Sequence, residues 1–329
     1  MKRDHYTISN GRLQRKDNTL YYIKAEGDKK QSLPIEQIRS LHVYGEVDFN
    51  TKLMNFLSQH DIMIHVYNHY GFYAGSYYPR KKNISGFTVV NQSKHYLDYE
   101  KRMYLASRFI ESAVHHILRN LRRHKEKTEK IINDIETETV KLKQVKNVAE
   151  LMGIEGNIRQ HYYQSFQDIL HEDFVFTKRS KRPPSDPINA MISFGNQLAY
   201  TAVLAEIYRT PLDPTVSYLH EPSTKRFSLS LDLAEIFKPL LVDPVIFSLI
   251  NLRVIKKKHF NYLEEEICYL NEEGKKRFIT AWEERLSRTI QHRVLKRKTS
   301  YRYLIRLECF KLIKHFIDDE LYKPLKAWW

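Results

Sequence analysis

Residues 93–127 read SKHYLDYEKRMYLASRFIESAVHHILRNLRRHKEK. Met103, Ala106, Ile110, Val114, Ile117 and Leu121 recur in this stretch at intervals of three and four. That repeat gathers apolar side chains on one face of a helix. The polar face ends in RRHKEK (122–127), where bases complement the negative end of the helix dipole. The spacing predicts one long amphipathic helix from Ser93 to Lys127. Upstream the pattern differs. YTIS (6–9), TLYYIKA (19–25), SLHVYG (40–45), IMIHVYN (62–68), GFYAGSYYP (71–79) and ISGFTVVN (84–91) are rich in β-branched and aromatic residues. Asn10-Gly11, Asp17-Asn18 and Gly27-Asp28 punctuate them as turns. One short helix intervenes, with Thr51 as its cap and Leu53, Phe56 and Leu57 as its buried face. The change of period near residue 92 sets the fold class as α+β. A β-strand-rich N-terminal domain (1–92) precedes a larger all-α domain (93–329). No Gly/Ser-rich linker divides them.

Further helices are expected at about 129–143, 154–170, 188–208, 231–250, 275–290 and 299–319. KRSKRPPSDP (178–187) reads as a basic, extended loop because of Pro183, Pro184 and Pro187. The tail YKPLKAWW (322–329) reads as loosely held. Cys268 and Cys309 lie far apart without metal-ligand spacing, which fits buried free thiols in a reducing cytoplasm. The N-terminus has no apolar core typical of a signal peptide, and no stretch is apolar for long enough to span a membrane. The 54 Lys and Arg outnumber the 39 Asp and Glu, giving a net charge of +15. Such an excess serves solubility or a polyanionic partner, most often nucleic acid.

The chemistry is concentrated at YLHEPSTKRFSLSLDLAEIF (218–237) and LMGIEGNIRQHYY (151–163). FSLSLDL alternates like a strand, but the apolar residues at 229, 233, 236, 237, 240 and 241 continue at helical spacing. On that helix Asp232 and Glu235 stand three apart and share a face. Gly153 and Gly156 flank Glu155, and glycines there allow backbone or a ligand to come close. Each feature has a plain structural reading. A lone His is usually a hydrogen-bonded core residue, a lone Glu a helix-dipole partner, and a pair of acids a solvated face. Together, one imidazole and two or three carboxylates suit a divalent cation: Mg²⁺ or Mn²⁺ by the oxygens, with the nitrogen favouring Mn²⁺. A metal on a basic protein suggests phosphodiester chemistry.

Four stretches, LMGIEGNIRQHYY (151–163), DPINAMISFGNQLAY (186–200), PLDPTVSYLHEP (211–222) and RFSLSLDLAEIFKPLLVD (226–243), resemble the CRISPR-associated adaptation endonuclease/integrase family usually called Cas one. Their general look is that of a type I system. The resemblance implies a β domain that dimerises, followed by a helical catalytic domain. It implies one divalent metal held by a Glu, a His and a second acid, corresponding here to Glu155, His220 and Glu235. Asp232 matches a further acid that would orient His220 or a metal-bound water. The family inserts short DNA segments into a CRISPR array by attack of a 3′-hydroxyl on a phosphodiester. Its members cleave duplex and branched DNA and partner with a small protein, Cas two. Two departures stand out. Thr215, Val216 and Ser217 follow the LDP motif where a glycine is common, and Lys238 stands where many members have Arg. Lys cannot reproduce Arg's bidentate phosphate contact.

Lys178, Arg179, Lys181 and Arg182 on the 178–187 loop are candidate phosphate contacts. So are Arg293 and Arg297 and, four apart on a helix, Arg302 and Arg306. Tyr162 is a candidate platform for a splayed base, a contact worth roughly 1–3 kcal/mol in single-strand binders. KKKH (256–259) reads as a solvated face. Against an integrase/endonuclease stand two alternatives: a catalytically idle DNA-binding scaffold, and a hydrolase of small phosphate esters. Requiring neutral His220, the metal reading expects activity to decline below about pH 6.5.

Overall fold

The computed structural model describes residues 2–27, 30–80, 83–180, 183–222, 227–264 and 267–329. The chain divides into two compact units, Met1–Lys82 and Asn83–Trp329.

Among the described residues, the first unit holds two four-stranded sheets, one α-helix and a single 3-10 turn, Ile35–Gln37. Its elements are β1 (Arg3–Thr7), β2 (Gly11–Lys16), β3 (Thr19–Lys24), β4 (Lys30–Pro34), β5 (Ile38–Val43), β6 (Val47–Asp48), α1 (Thr51–Gln59), β7 (Met63–Tyr67) and β8 (Tyr73–Tyr77). One sheet runs β1-β5-β7-β8, parallel except for the last pair. The other runs β4-β3-β2-β6, antiparallel except between β2 and β6. Asp17-Asn18 turns β2 into β3, with Lys16 paired to Thr19 and Asp17 at φ 52°. Asp tolerates that left-handed conformation better than most residues. The core gathers Leu13, Leu20 and Leu33 from one sheet, Leu41 and Ile64 from the other, and Leu53, Phe56 and Leu57 from α1. The cap of α1 is Asn50, whose Oδ1 accepts from Leu53 N at 3.0 Å, one residue before the expected Thr51.

In the second unit, the stretch expected to be strand at 84–91 begins a helix, α2 (Gly86–Leu97). Ser85 caps it by accepting from Thr88 N, and its exposed Phe87 and Val90 explain the apolar look of the stretch. The long helix expected from Ser93 to Lys127 is interrupted. Asp98 adopts extended geometry and accepts the N–H of Lys101 at 3.1 Å, capping α3 (Tyr99–Arg122). There follow α4 (Lys125–Lys141), α5 (Val148–Gln164), the short α6 (Phe166–Ile169), and α7 (Pro187–Tyr208), which is buried along most of its length. Next, α8 (Ser228–Phe237) runs through a π-helical turn, Lys238–Val242, into α9 (Asp243–Asn251). The helical reading of 227–241 therefore holds over the strand-like one.

The last third is not all-helical. Two small hairpins occur there: β9 (Phe260–Leu263) with β10 (Ile267–Leu270), and β11 (Thr289–Gln291) with β12 (Lys298–Ser300). They flank α10 (Glu272–Ser287), and α11 (Tyr301–Phe316) follows. Both cysteines are buried and free. The tail is far from loose. Tyr322, Leu325 and Ala327 are buried, and Tyr322 Oη donates to Glu308 at 2.7 Å. No helix among the described residues is long and apolar enough to cross a membrane.

Candidate active site

Two helices meet around one guanidinium. On α5, Glu155 and Arg159 are one turn apart, and Arg159 Nε donates to Glu155 Oε1 at 2.9 Å. Its Nη2 donates to Glu235 Oε2 on α8 at 2.6 Å. Lys238, opening the π turn, pairs with the other oxygen of Glu235. Arg159 thus ties together two carboxylates that are 80 positions apart in sequence. Burial works against the charge on Arg159, but Glu235 and Glu155 more than offset it and hold its pKa above the ordinary value. Burial likewise disfavours charge on Glu235. Lys238, Arg159 and His220 outweigh that and keep the carboxyl well below the usual range.

Asp232 builds the other side. Fully buried, its Oδ2 accepts from Tyr218 N at 2.7 Å and Leu219 N at 3.0 Å. Its Oδ1 accepts from His220 N at 2.9 Å and from His220 Nδ1 at 2.8 Å. A carboxylate can only accept, so Nδ1 carries the proton and Nε2 keeps its lone pair. Nε2 makes no hydrogen bond to the protein among the described residues. The loop carrying His220 is clamped from α2 and α3. Arg102 Nε donates to Tyr218 O at 3.0 Å, and its Nη2 reaches Glu221 at 2.5 Å. Tyr96 Oη donates to the same glutamate at 3.0 Å. Burial disfavours the imidazolium of His220, but its bond to Asp232 and the nearby Glu235 raise its pKa above 6.5.

Behind these groups lies a polar floor that the sequence did not reveal. Tyr162 Oη donates to Asp243 Oδ2 at 3.0 Å and accepts from Asn120 Nδ2 at 3.0 Å. Burial lifts Asp243 to about 6. Tyr162 is wholly buried here, so its ring offers no face to a base and its expected stacking role is corrected to a packing one. Arg159 also escaped notice, although a base four residues after Glu155 on a helix is a readable signal. Asn120 left a fainter one: a polar residue inside the apolar stripe of α3.

The cation-binding reading rests on donor chemistry. Two carboxylates already gather positive charge, and the His220 imidazole, close enough to feel the charge of Glu235, keeps a lone pair on Nε2 when neutral; this donor set fits a divalent ion. Among the described residues no three His, Cys, Asp or Glu side chains are yet drawn to one point; the guanidinium of Arg159 separates the two carboxylates. A Cβ placed on Gly153 or Gly156 would meet nothing within 4 Å. The glycines therefore admit no neighbouring backbone, and the space at their own positions on α5 is open.

The basic candidates divide sharply. Arg179 donates to Asn189 Oδ1 at 2.7 Å and Ser193 Oγ at 3.0 Å, anchoring its loop to α7. Arg302 pairs with Glu283 at 2.8 Å, and Arg306 with the buried Glu206 at 2.7 Å. These three are corrected from phosphate contacts to internal partners, each engaged by groups of its own unit. Lys178, Arg293 and Arg297 are exposed, the last two near the hairpin β11–β12. Lys181 and Arg182 lie outside the described residues.

Comparison with known proteins agrees over the full length. The family model described as CRISPR associated protein Cas1 matches residues 5–284. A CRISPR-associated endonuclease Cas1 from Clostridium perfringens is 59% identical, with 100% of each chain covered. One from Fusobacterium nucleatum is 49% identical, covering 100% of this chain and 98% of its own. Among solved structures, a CAS1 protein from Thermotoga maritima superposes with a TM-score of 0.88 at 39% identity, over 97% of this chain and 98% of that one. A casposase bound to integration product shares the fold, with a TM-score of 0.89 at 22% identity, covering 99% and 94%. A strand-rich unit followed by a helical unit, matched end to end by such relatives, defines a CRISPR-associated protein. The chain belongs to the Cas1 family.

Proposed function

We propose that the chain is a metal-dependent DNA endonuclease and integrase of CRISPR adaptation, acting in the cytoplasm. It would insert short DNA segments by attack of a 3′-hydroxyl on a phosphodiester. The observation that carries this reading is the arrangement around Arg159: two acids on one guanidinium, beside an imidazole whose tautomer Asp232 dictates. The full-length Cas1 relatives support it. Glu155, Glu235 and His220 Nε2 would hold one Mn²⁺ or Mg²⁺, which when bound supplies positive charge at a phosphoryl oxygen. The chain supplies no covalent nucleophile. Asp232 keeps the His220 proton on Nδ1, and Lys238 places a second positive charge beside Glu235. Positioning and charge are what such a transfer asks of a protein. The proposed partners are duplex and branched DNA, a second copy of the chain meeting through the strand-rich unit, and the small Cas two protein. The test supplies a short duplex with 3′-hydroxyls, a plasmid carrying the repeat, and Mn²⁺, with and without the partner protein. Sequenced junctions at the repeat are the expected result. An idle scaffold would give none, and a small-ester hydrolase would show no preference for DNA.

Two further outcomes follow. Protonated His220 cannot ligate a metal, and its pKa lies above 6.5, so cation affinity is full above that pKa and is lost as pH falls through it. The Mn²⁺ dissociation constant, measured by electron paramagnetic resonance, should weaken by at least about tenfold between pH 7.5 and 5.5. Equal affinity at both values would remove His220 from the ligand set. DNA binding should fall with salt. If Lys178, Arg293 and Arg297 each neutralise one phosphate, they contribute a slope of about −2.7 in log K against log salt. Replacing any one by alanine should flatten the slope by about one unit. An unchanged slope in all three variants would place the DNA elsewhere.

A further inference from the structure

The face of α3 that packs into the helical unit is apolar except for a buried polar stripe, Ser112, His116 and Asn120, spaced four apart. Such residues are costly unless their hydrogen bonds are made, and all three make theirs to the backbone of distant segments. Asn120 Nδ2 donates to Pro239 O at 2.7 Å. That carbonyl is available because the π turn shifts the helix register: the N–H of Asp243 bonds back to Lys238 O and bypasses Pro239 O. His116 Nδ1 donates to Ile236 O at 3.0 Å, and its Nε2 accepts from Ala327 N at 3.1 Å. A carbonyl only accepts and an N–H only donates, so these partners allow one neutral tautomer. Ser112 Oγ donates to Leu325 O, His115 Nε2 to Ala327 O at 2.9 Å, and Arg119 to Trp329 O. Trp329 Nε1 donates to Tyr301 Oη at 2.6 Å. Residues 325–329 are therefore laid along α3, and one imidazole joins them to the carbonyl next to Glu235.

We propose that His116 is a positioning residue through which the 325–329 segment sets the orientation of Glu235 and hence the cation affinity of the site. This rests on Glu235 being a metal ligand. Two pairs of variants of the full chain test it. Ala327→Pro removes the one N–H that His116 accepts, whereas Ala327→Gly keeps it. His116→Leu removes both hydrogen bonds, whereas His116→Gln retains a donor and an acceptor. Two quantities are read: the Mn²⁺ dissociation constant by electron paramagnetic resonance, and amide hydrogen exchange of residues 232–243 in the metal-free protein. Ala327→Pro and His116→Leu should weaken Mn²⁺ binding about 10- to 100-fold, the range for groups that orient a ligand. They should also speed exchange at 232–243. The Gly and Gln variants should stay within about threefold of the parent on both readouts. Wild-type Mn²⁺ affinity with unchanged exchange in Ala327→Pro would overturn the proposal, as would a fall in melting temperature with neither change. Should His116→Leu fail to fold, the Ala327 pair decides. Glu235→Gln separates the two ideas. If it too binds Mn²⁺ normally, the metal assignment is wrong and the exchange arm alone judges the coupling: faster exchange in Ala327→Pro supports it, and unchanged exchange ends it.

Discussion

Glu155→Gln, His220→Ala and Glu235→Gln should each lower DNA cleavage and integration by at least about a thousandfold. The expected loss follows from the size of the effect removed. Charge supplied at a phosphoryl oxygen is worth several kcal/mol at the transition state, and each 1.36 kcal/mol is about tenfold in rate. Duplex binding at fixed salt should stay within a few-fold, because the exposed cations Lys178, Arg293 and Arg297 are untouched. Asp232→Asn belongs to the same series but at a smaller scale. It keeps the shape of the carboxylate while weakening its hold on Nδ1, and about 10- to 100-fold in metal affinity is expected. Rates are to be measured by single-turnover cleavage of a branched duplex, and integration by junction sequencing. Variants at 155, 220 and 235 with wild-type rates would return the protein to the idle-scaffold reading.

Arg159→Ala should destabilise the metal-free protein by about 3 kcal/mol, the low end for breaking a buried ion pair. The low end applies because Glu235 keeps Lys238 as a second partner. Arg159 and Glu235 retain only 12% and 9% side-chain exposure, so solvent compensates little for the missing charge. Mn²⁺ should then narrow the gap to the parent protein. In the parent the proposed ion would have to displace the guanidinium, whereas in the variant it would enter a site that lacks one. A ligand at about 100 times its dissociation constant contributes about 2.7 kcal/mol. Urea unfolding in chelator and in saturating Mn²⁺ measures both quantities. A loss that Mn²⁺ does not reduce would mean that Arg159 is purely structural and that no cation takes its place.

The sequence carried the main division of the chain because side-chain period reports burial directly. Runs of β-branched and aromatic residues marked β3, β5, β7 and β8, and the three-and-four repeat marked α3, whereas the polar β2 (GRLQRK) went unmarked. It misjudged the join for a local reason. In ISGFTVVN, Thr88, Val89 and Val90 favour strands, yet Ser85 supplies a cap and the segment folds as helix. A side-chain cap outweighed propensity there, and the cap at Asp98 then cut the expected long helix in two. At the site, Glu155, His220, Asp232 and Glu235 were legible because acids and imidazole are conspicuous among Leu, Ile and Phe. Arg159 was less so. A base beside an acid on a helix resembles an ordinary surface pair, and only the fold reveals that it reaches Glu235. The basic clusters were the least legible. Charge counts cannot distinguish Arg306, bound to the buried Glu206, from the exposed Arg297. The tail was misread because its hydrogen bonds to α3 are made by backbone groups, which leave no mark on composition.

The most direct test of the central claim is anomalous diffraction from a crystal of the protein soaked in Mn²⁺ near neutral pH. The account predicts one strong peak about 2.1 Å from a carboxylate oxygen of Glu155, a carboxylate oxygen of Glu235 and Nε2 of His220, with Arg159 swung away from between the two acids. A fully occupied Mn²⁺ peak elsewhere, with the Arg159 bonds to Glu155 and Glu235 intact, would contradict it.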